Sequence, residues 1–148
     1  MILDKVHLYT AGATLLVIVI AVLSHYEGLR FFTRWIANTK LRPRLRIVLL
    51  IHGLLLLHSV EIWIFGIGYW IFSMVPGYGS LLSNYSLQLI DFVYFSATVY
   101  STLGFGDLVP VGPLRFMAGM ESVTGLLLIT WSASFTYLEM VRYWRTED

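Results

Sequence analysis

Cysteine does not occur in these 148 residues, so a disulfide framework, a thiolate metal site and a cysteine nucleophile are all excluded. Charge is scarce as well. Asp, Glu, Lys and Arg make up 13 % of the chain, about half of what a soluble domain carries. The formal net charge of +1 selects no charged partner, and no nucleic acid is expected. What fills the chain is apolar: 57 % of the residues are hydrophobic and 16 % aromatic, well above the usage of soluble domains. The composition points to a membrane, and the placement of the few charges then carries the topology.

Three stretches are long and apolar enough to cross a bilayer, which takes roughly 20 residues: 8–24, 47–75 and 113–141. The first could pass for a secretory leader. However, Asp4 and Lys5 both precede it and no small-x-small cleavage site follows, so it reads as a retained span. Basic residues cluster in two places. Arg30, Arg34, Lys40, Arg42, Arg44 and Arg46 crowd the connection between the first two spans, and Arg142 and Arg145 follow the third. Lys and Arg gather on the cytoplasmic side, which puts the N-terminus outside and the C-terminus inside. Within the first connection Leu29, Phe32, Trp35 and Ile36 recur at helical spacing beside Arg30 and Arg34. Two readings stay open there: an amphipathic helix lying in the inner interface and drawn to anionic lipid, or an ordinary basic loop.

The connection between the second and third spans carries the most information. Pro76-Gly77-Tyr78-Gly79-Ser80 is turn chemistry that ends the second helix. Asp91 suits the N-cap of a short helix from Phe92 to about Ser101, too short to span and therefore re-entrant. The C-terminal end of that helix is partially negative and favours a cation beyond it. Thr102-Leu103-Gly104-Phe105-Gly106-Asp107 follows. Gly104 and Gly106 alternate with larger residues, so alternate positions can take positive φ cheaply. A strand that alternates between left- and right-handed conformations points successive carbonyls to one side. Four such strands around an axis make stacked rings of oxygens that can replace the water shell of a potassium ion. A Gly-x-Gly pair alone is weak evidence, since glycine is a common packing residue in membrane helices. The preceding Ser101-Thr102, the trailing Asp107, the short helix and the flanking spans set this pair apart.

Tyr94-Phe95-Ser96, Ser101-Thr102-Leu103-Gly104-Phe105-Gly106-Asp107 and Pro110 together resemble the pore region of potassium channels, most of all small prokaryotic channels of the two-transmembrane type. His58-x-x-Glu61-Ile62 in the second span, with Arg115, Glu121, Gly125 and Trp131-Ser132-x-Ser134 in the third, is similar to the bacterial proteins grouped as the two pore domain potassium channel family. The resemblance covers about two thirds of the chain, from the second span onward. It implies an all-α membrane protein of three transmembrane helices plus a re-entrant pore helix and a selectivity-filter loop. Residues 1–46 would be a span with its basic linker, and residues 47–148 the pore domain. One pore loop per chain implies a homotetramer, in a bacterial plasma membrane. The resemblance places potassium at Thr102, Leu103, Gly104 and Phe105, with Gly106 completing the filter. Thr98, Asp107, Glu61, His58 and Glu121 would support the filter, and Gly125 would lie near the bend point of the inner helix. No cofactor is implied beyond the permeating potassium ion. Two positions depart from the pattern: Leu103 stands where valine or isoleucine is usual, and Thr98 where some relatives carry an acid.

His52, His58 and Glu61 lie inside the second span, and intramembrane ionisable groups are functional hypotheses by default. His58 and Glu61, at i and i+3, share a helical face. They can hydrogen-bond to neighbouring helices and hold the pore helix in place, or they can sense pH. A metal site would want the His-Glu-x-x-His pattern, which does not occur. Glu121 is read similarly, as a strut near the filter or a charge felt by ions. An intramembrane enzyme built on His52, His58 and Glu61 would have no nucleophile, so no enzymatic activity is expected. A second function stays open: a non-conducting or regulatory pore-like subunit whose path is closed. No span carries arginine at every third position, so nothing here resembles a voltage sensor. The few residues after Val141 predict no cytoplasmic ligand-binding domain.

Overall fold

The computed structural model describes residues 5–144; Met1, Asp4 and Arg145 lie outside them. The elements run α1 (Lys5–Asn38), α2 (Pro43–Ser73), β1 (Ser80–Leu82), α3 (Leu89–Tyr100), β2 (Val109–Val111) and α4 (Leu114–Trp144). Helices α1, α2 and α4 are long and apolar enough to cross a membrane. At 1.5 Å per residue each exceeds the roughly 30 Å of a hydrocarbon core. Leu15, Leu16, Leu55, Leu56, Leu126 and Leu127 point outward from them. Such exposure is costly in water, but lipid tails are as apolar as leucine.

Helix α1 does not stop where its apolar run ends. It continues for 34 residues, about 50 Å, through the stretch where the sequence leaves either a separate interfacial helix or a loop open. The structure contains neither. No proline interrupts residues 25–38, and the apolar residues of that stretch gain a partner. Leu29 and Ile36 are buried with Leu50 and Leu54 of α2, and Phe32, Trp35, Leu57 and Phe135 pack around them. The connection to α2 is the short turn 39–42, which returns the chain antiparallel. Arg46 closes this turn: its Nε donates to the Leu41 carbonyl at 2.7 Å, and its Nη2 to that of Thr39. Pro43 occupies the first helical turn, where its missing N–H costs nothing, so α2 begins four residues before the apolar stretch at 47.

The buried residues of α1 form one stripe, Thr10, Thr14, Ala21, His25, Leu29 and Ile36. Its two threonines return their hydroxyls to their own helix, Thr10 to the Val6 carbonyl at 2.8 Å and Thr14 to the Thr10 carbonyl at 2.7 Å. That lets polar side chains sit dry.

Helix α3 is wedged between α2 and α4. Phe92, Phe95 and Tyr100 of α3 share a core with Phe65 and Tyr69 of α2, Leu114, Met117 and Leu128 of α4, and Ala21 of α1. Tyr69 and Phe95 meet edge to face, 5.0 Å between centroids. The helix starts three residues earlier than Asp91 predicts. Gln88 occupies the cap, and Asp91 reaches back from the third helical position to accept its backbone N–H at 2.7 Å. A carboxylate there still satisfies a free donor at the positive end of the helix. Strands β1 and β2 pair antiparallel, Leu81 opposite Pro110. With three residues each they are too short for alternation to reveal in sequence, and among the described residues they are the one departure from an all-α reading. They tie the turn after α2 to the segment that leaves α3.

Candidate functional site

Beyond α3 the chain follows no regular element until β2, yet its backbone alternates. Thr102, Gly104 and Gly106 have φ of 60, 53 and 80°, so every second residue is left-handed. Glycine reaches this region freely. Thr102 is the one non-glycine residue with positive φ among those described, at a steric cost on the order of 1 kcal/mol. Two hydrogen bonds hold the conformation against α3: Thr102 N–H to the Val99 carbonyl at 2.9 Å, and Gly104 N–H to the Thr98 carbonyl at 3.0 Å. Thr98 is buried, and its hydroxyl goes back to Phe95 at 2.8 Å. Thr98 therefore meets the segment through its carbonyl, not its side chain. Leu103 and Phe105 are 61 % and 64 % exposed in the single chain. The Phe105 ring lies parallel to Tyr94, 6.5 Å between centroids, and the Tyr94 hydroxyl faces the exposed Asp107.

Two buried carboxylates grip α3 one turn apart. Glu121 of α4 accepts the Ser96 hydroxyl at 2.5 Å and the Tyr69 hydroxyl of α2; Ser96 also lies 2.8 Å from the Ile62 carbonyl. Glu61 of α2 accepts from the Tyr100 hydroxyl, from His58 Nδ1 at 2.9 Å and from His25 Nδ1 of α1 at 2.7 Å. His58 Nδ1 is also 2.9 Å from the Tyr100 hydroxyl. Both carboxylates are fully buried. A lone charge at membrane depth costs at least about 2.5–3.5 kcal/mol, so these partners are a condition of the fold. Ser96 and Tyr100, at i and i+4, present their hydroxyls on one face of α3, and α1, α2 and α4 all connect to that face.

The structure thus brings together His58 and Glu61 and places Glu121 one helical turn away. It does not bring in His52, which is exposed and bonds the Val48 carbonyl of its own helix at 2.8 Å. Gly125 sits where α4 crosses the end of α3: a Cβ there would lie 2.3 Å from the Tyr100 carbonyl oxygen. Helix α4 runs unbroken past it. His25 is the residue that sequence reading missed, because it falls just beyond the apolar run of the first span. The signal was its place on the Thr10, Thr14, Ala21 stripe. Ser96, Tyr69 and Tyr100 had a weaker signal, namely that two intramembrane carboxylates must find donors.

A family model described as ion channel matches residues 47–141, from the first turns of α2 to near the end of α4. No curated protein and no solved structure matches the chain.

Proposed function

Because the chain belongs to the ion channel family and is a membrane protein with three helices long enough to cross a bilayer, we propose that it is a potassium-selective channel in which four copies set residues 102–106 around one axis. The observation that carries this reading is the left-handed backbone at Thr102, Gly104 and Gly106. Alternation of that kind turns the carbonyls of Thr102, Leu103, Gly104 and Phe105 toward one side, and four segments would stack them into rings. Ions shed water into those rings and repel one another along the row. The Thr102 hydroxyls would close the inner end. Helix α3 is the pore helix in this reading, and its C-terminal carbonyls favour a cation beneath the rings. Leu103 and Phe105, so exposed in one chain, would be covered by neighbours. The family points to transport rather than catalysis.

The basic turn and the end of α4 share one end of the bundle, since Phe135 packs against the cluster of Leu29, Ile36, Leu50 and Leu54. We place that end in the cytoplasm and the N-terminus outside, in a bacterial plasma membrane. Arg30 is engaged by Glu27 at 2.8 Å and Arg46 by the turn. Arg34, Lys40, Arg42 and Arg44 complete a cluster suited to anionic lipid.

Purified chain in liposomes, under opposed potassium and sodium gradients, tests the proposal. Potassium flux well above sodium flux is expected. Equal fluxes would refute selectivity. Correct assembly without flux would leave a non-conducting pore-like subunit.

A further inference from the structure

The Glu61 cluster has a chemistry of its own. Both carboxylate oxygens are occupied, one by His25 and the other by His58 and Tyr100. A carboxylate only accepts, so His25 carries its hydrogen on Nδ1. Its Nε2 is buried with no partner among the described residues. A neutral ring leaves only a lone pair there, whereas protonation would bury an N–H without an acceptor. His25 therefore works by orientation. His58 is different: its side chain is 15 % exposed against 0 % for His25 and Glu61. The groups facing it are His25 from α1, 5.5 Å between rings, Glu61 on its own helix and Tyr100 from α3. From α4, Trp131 lies 5.2 Å from the His25 ring, and Glu121 meets α3 one turn away at Ser96. Among the described residues no lysine or arginine pairs with Glu61, so a proton on His58 is the charge available to balance it.

His25, His58 and Glu61 could also close on a metal ion. Metal-bound histidine, however, nearly always donates its second N–H to an acceptor, and His25 has none. The cluster reads as a proton site.

It is also joined to the base of the 101–106 segment. Tyr100 is the last residue of α3, two residues before Thr102. Its neighbours Thr98 and Val99 supply the carbonyls that hold the Gly104 and Thr102 amides. We propose that His25 is a positioning residue for the ion path: through Glu61 and Tyr100, α1 sets the base of the 101–106 segment, and the charge on His58 decides how firmly. This rests on the reading of 101–106 as the ion path.

The test uses the full chain and two readouts, amide hydrogen exchange over 98–104 and potassium flux in liposomes, from pH 5 to 8, where histidine changes charge. The protection of the Gly104 amide, its exchange corrected at each pH for the base-catalysed intrinsic rate, is expected to fall about tenfold as pH rises, with flux changing over the same interval. His58→Asn removes both dependences. Tyr100→Phe quickens exchange about tenfold, and His25→Ala does the same. His25→Asn, which keeps an N–H near the place of Nδ1, stays within about threefold of the parent. Combined, His25→Ala and Tyr100→Phe do no more than either alone, because both cut one line of contacts. If His25→Ala fails to insert, His25→Gln, whose N–H sits one carbon too far, replaces it with the same expectation. Parent-like exchange in Tyr100→Phe or in His25→Ala (or its His25→Gln replacement), additive effects in the double variant, or a pH dependence of protection that survives His58→Asn would each overturn the proposal. Exchange is read whether or not ions pass. A parent that exchanges as expected but carries no potassium refutes the channel reading and leaves the brace standing.

Discussion

Replacing Gly125 with alanine separates two roles for this glycine, a bend point in α4 and a place of close approach. The added Cβ would sit 2.3 Å from the Tyr100 carbonyl oxygen and 2.9 Å from its Cγ. Ordinary contact begins about 1 Å farther out. The obstructing atom is backbone, and the residue that carries it is anchored by its hydroxyl to Glu61, so it cannot swing aside as a flexible side chain would. Overpacking of this kind costs about 1–3 kcal/mol. Alanine gains up to about 1 kcal/mol over glycine in a helix interior, an opposing term that is smaller. Net destabilisation of up to about 2 kcal/mol per chain is expected, and an assembly of four would feel it four times. Gly12→Ala on α1 is the control, since nothing lies within 4 Å of its Cβ position. It should be neutral or slightly stabilising. The assay is denaturant unfolding of the detergent-solubilised protein, followed by near-ultraviolet circular dichroism. If Gly125→Ala unfolds with the parent while its flux changes, the close-approach argument fails and the bend reading takes its place.

Glu121→Gln should destabilise by about 1–2 kcal/mol, because an amide cannot accept both the Ser96 and Tyr69 hydroxyls on equal terms; unfolding of this variant no easier than the parent's would rule out its bracing role. Gly104→Ala meets the left-handed penalty, about 1 kcal/mol or more in every copy, so potassium flux should vanish while insertion persists. Normal selective flux in that variant would remove 102–106 from the ion path. Phe105→Tyr leaves the backbone alone and should still pass potassium in preference to sodium in the liposome assay. A tag at Met1 should react with a membrane-impermeant reagent in intact cells, and labelling only after permeabilisation would reverse the assigned topology.

The legible parts of this protein were those written in local chemistry. Three apolar runs marked the spans because length and hydropathy are summed along the chain, not across it. The positive φ at Gly104 and Gly106 could be anticipated because glycine alternating with bulk has a specific backbone use. Thr102, the third left-handed residue, could not, since its conformation is imposed by the Val99 and Thr98 carbonyls of α3 against its own preference. The start of α3 was missed by three residues because Asp91 serves either as cap or as the third residue of a capping box, and only the register of the helix chooses.

By itself, then, the sequence determined the number of helices long and apolar enough to cross a membrane, the likeness to a pore, and the existence of two carboxylates that must be satisfied inside a membrane. It could not say by whom. His25 stands 36 positions from Glu61 and Glu121 stands 25 from Ser96, and no periodicity links such pairs. Whether 25–38 would lie along the interface or pack on α2 depended on whether Leu50 and Leu54 were free to receive it, a question of which helix faces meet. Tertiary structure decided these matters because a buried polar group is satisfied by whatever packing brings within about 3 Å.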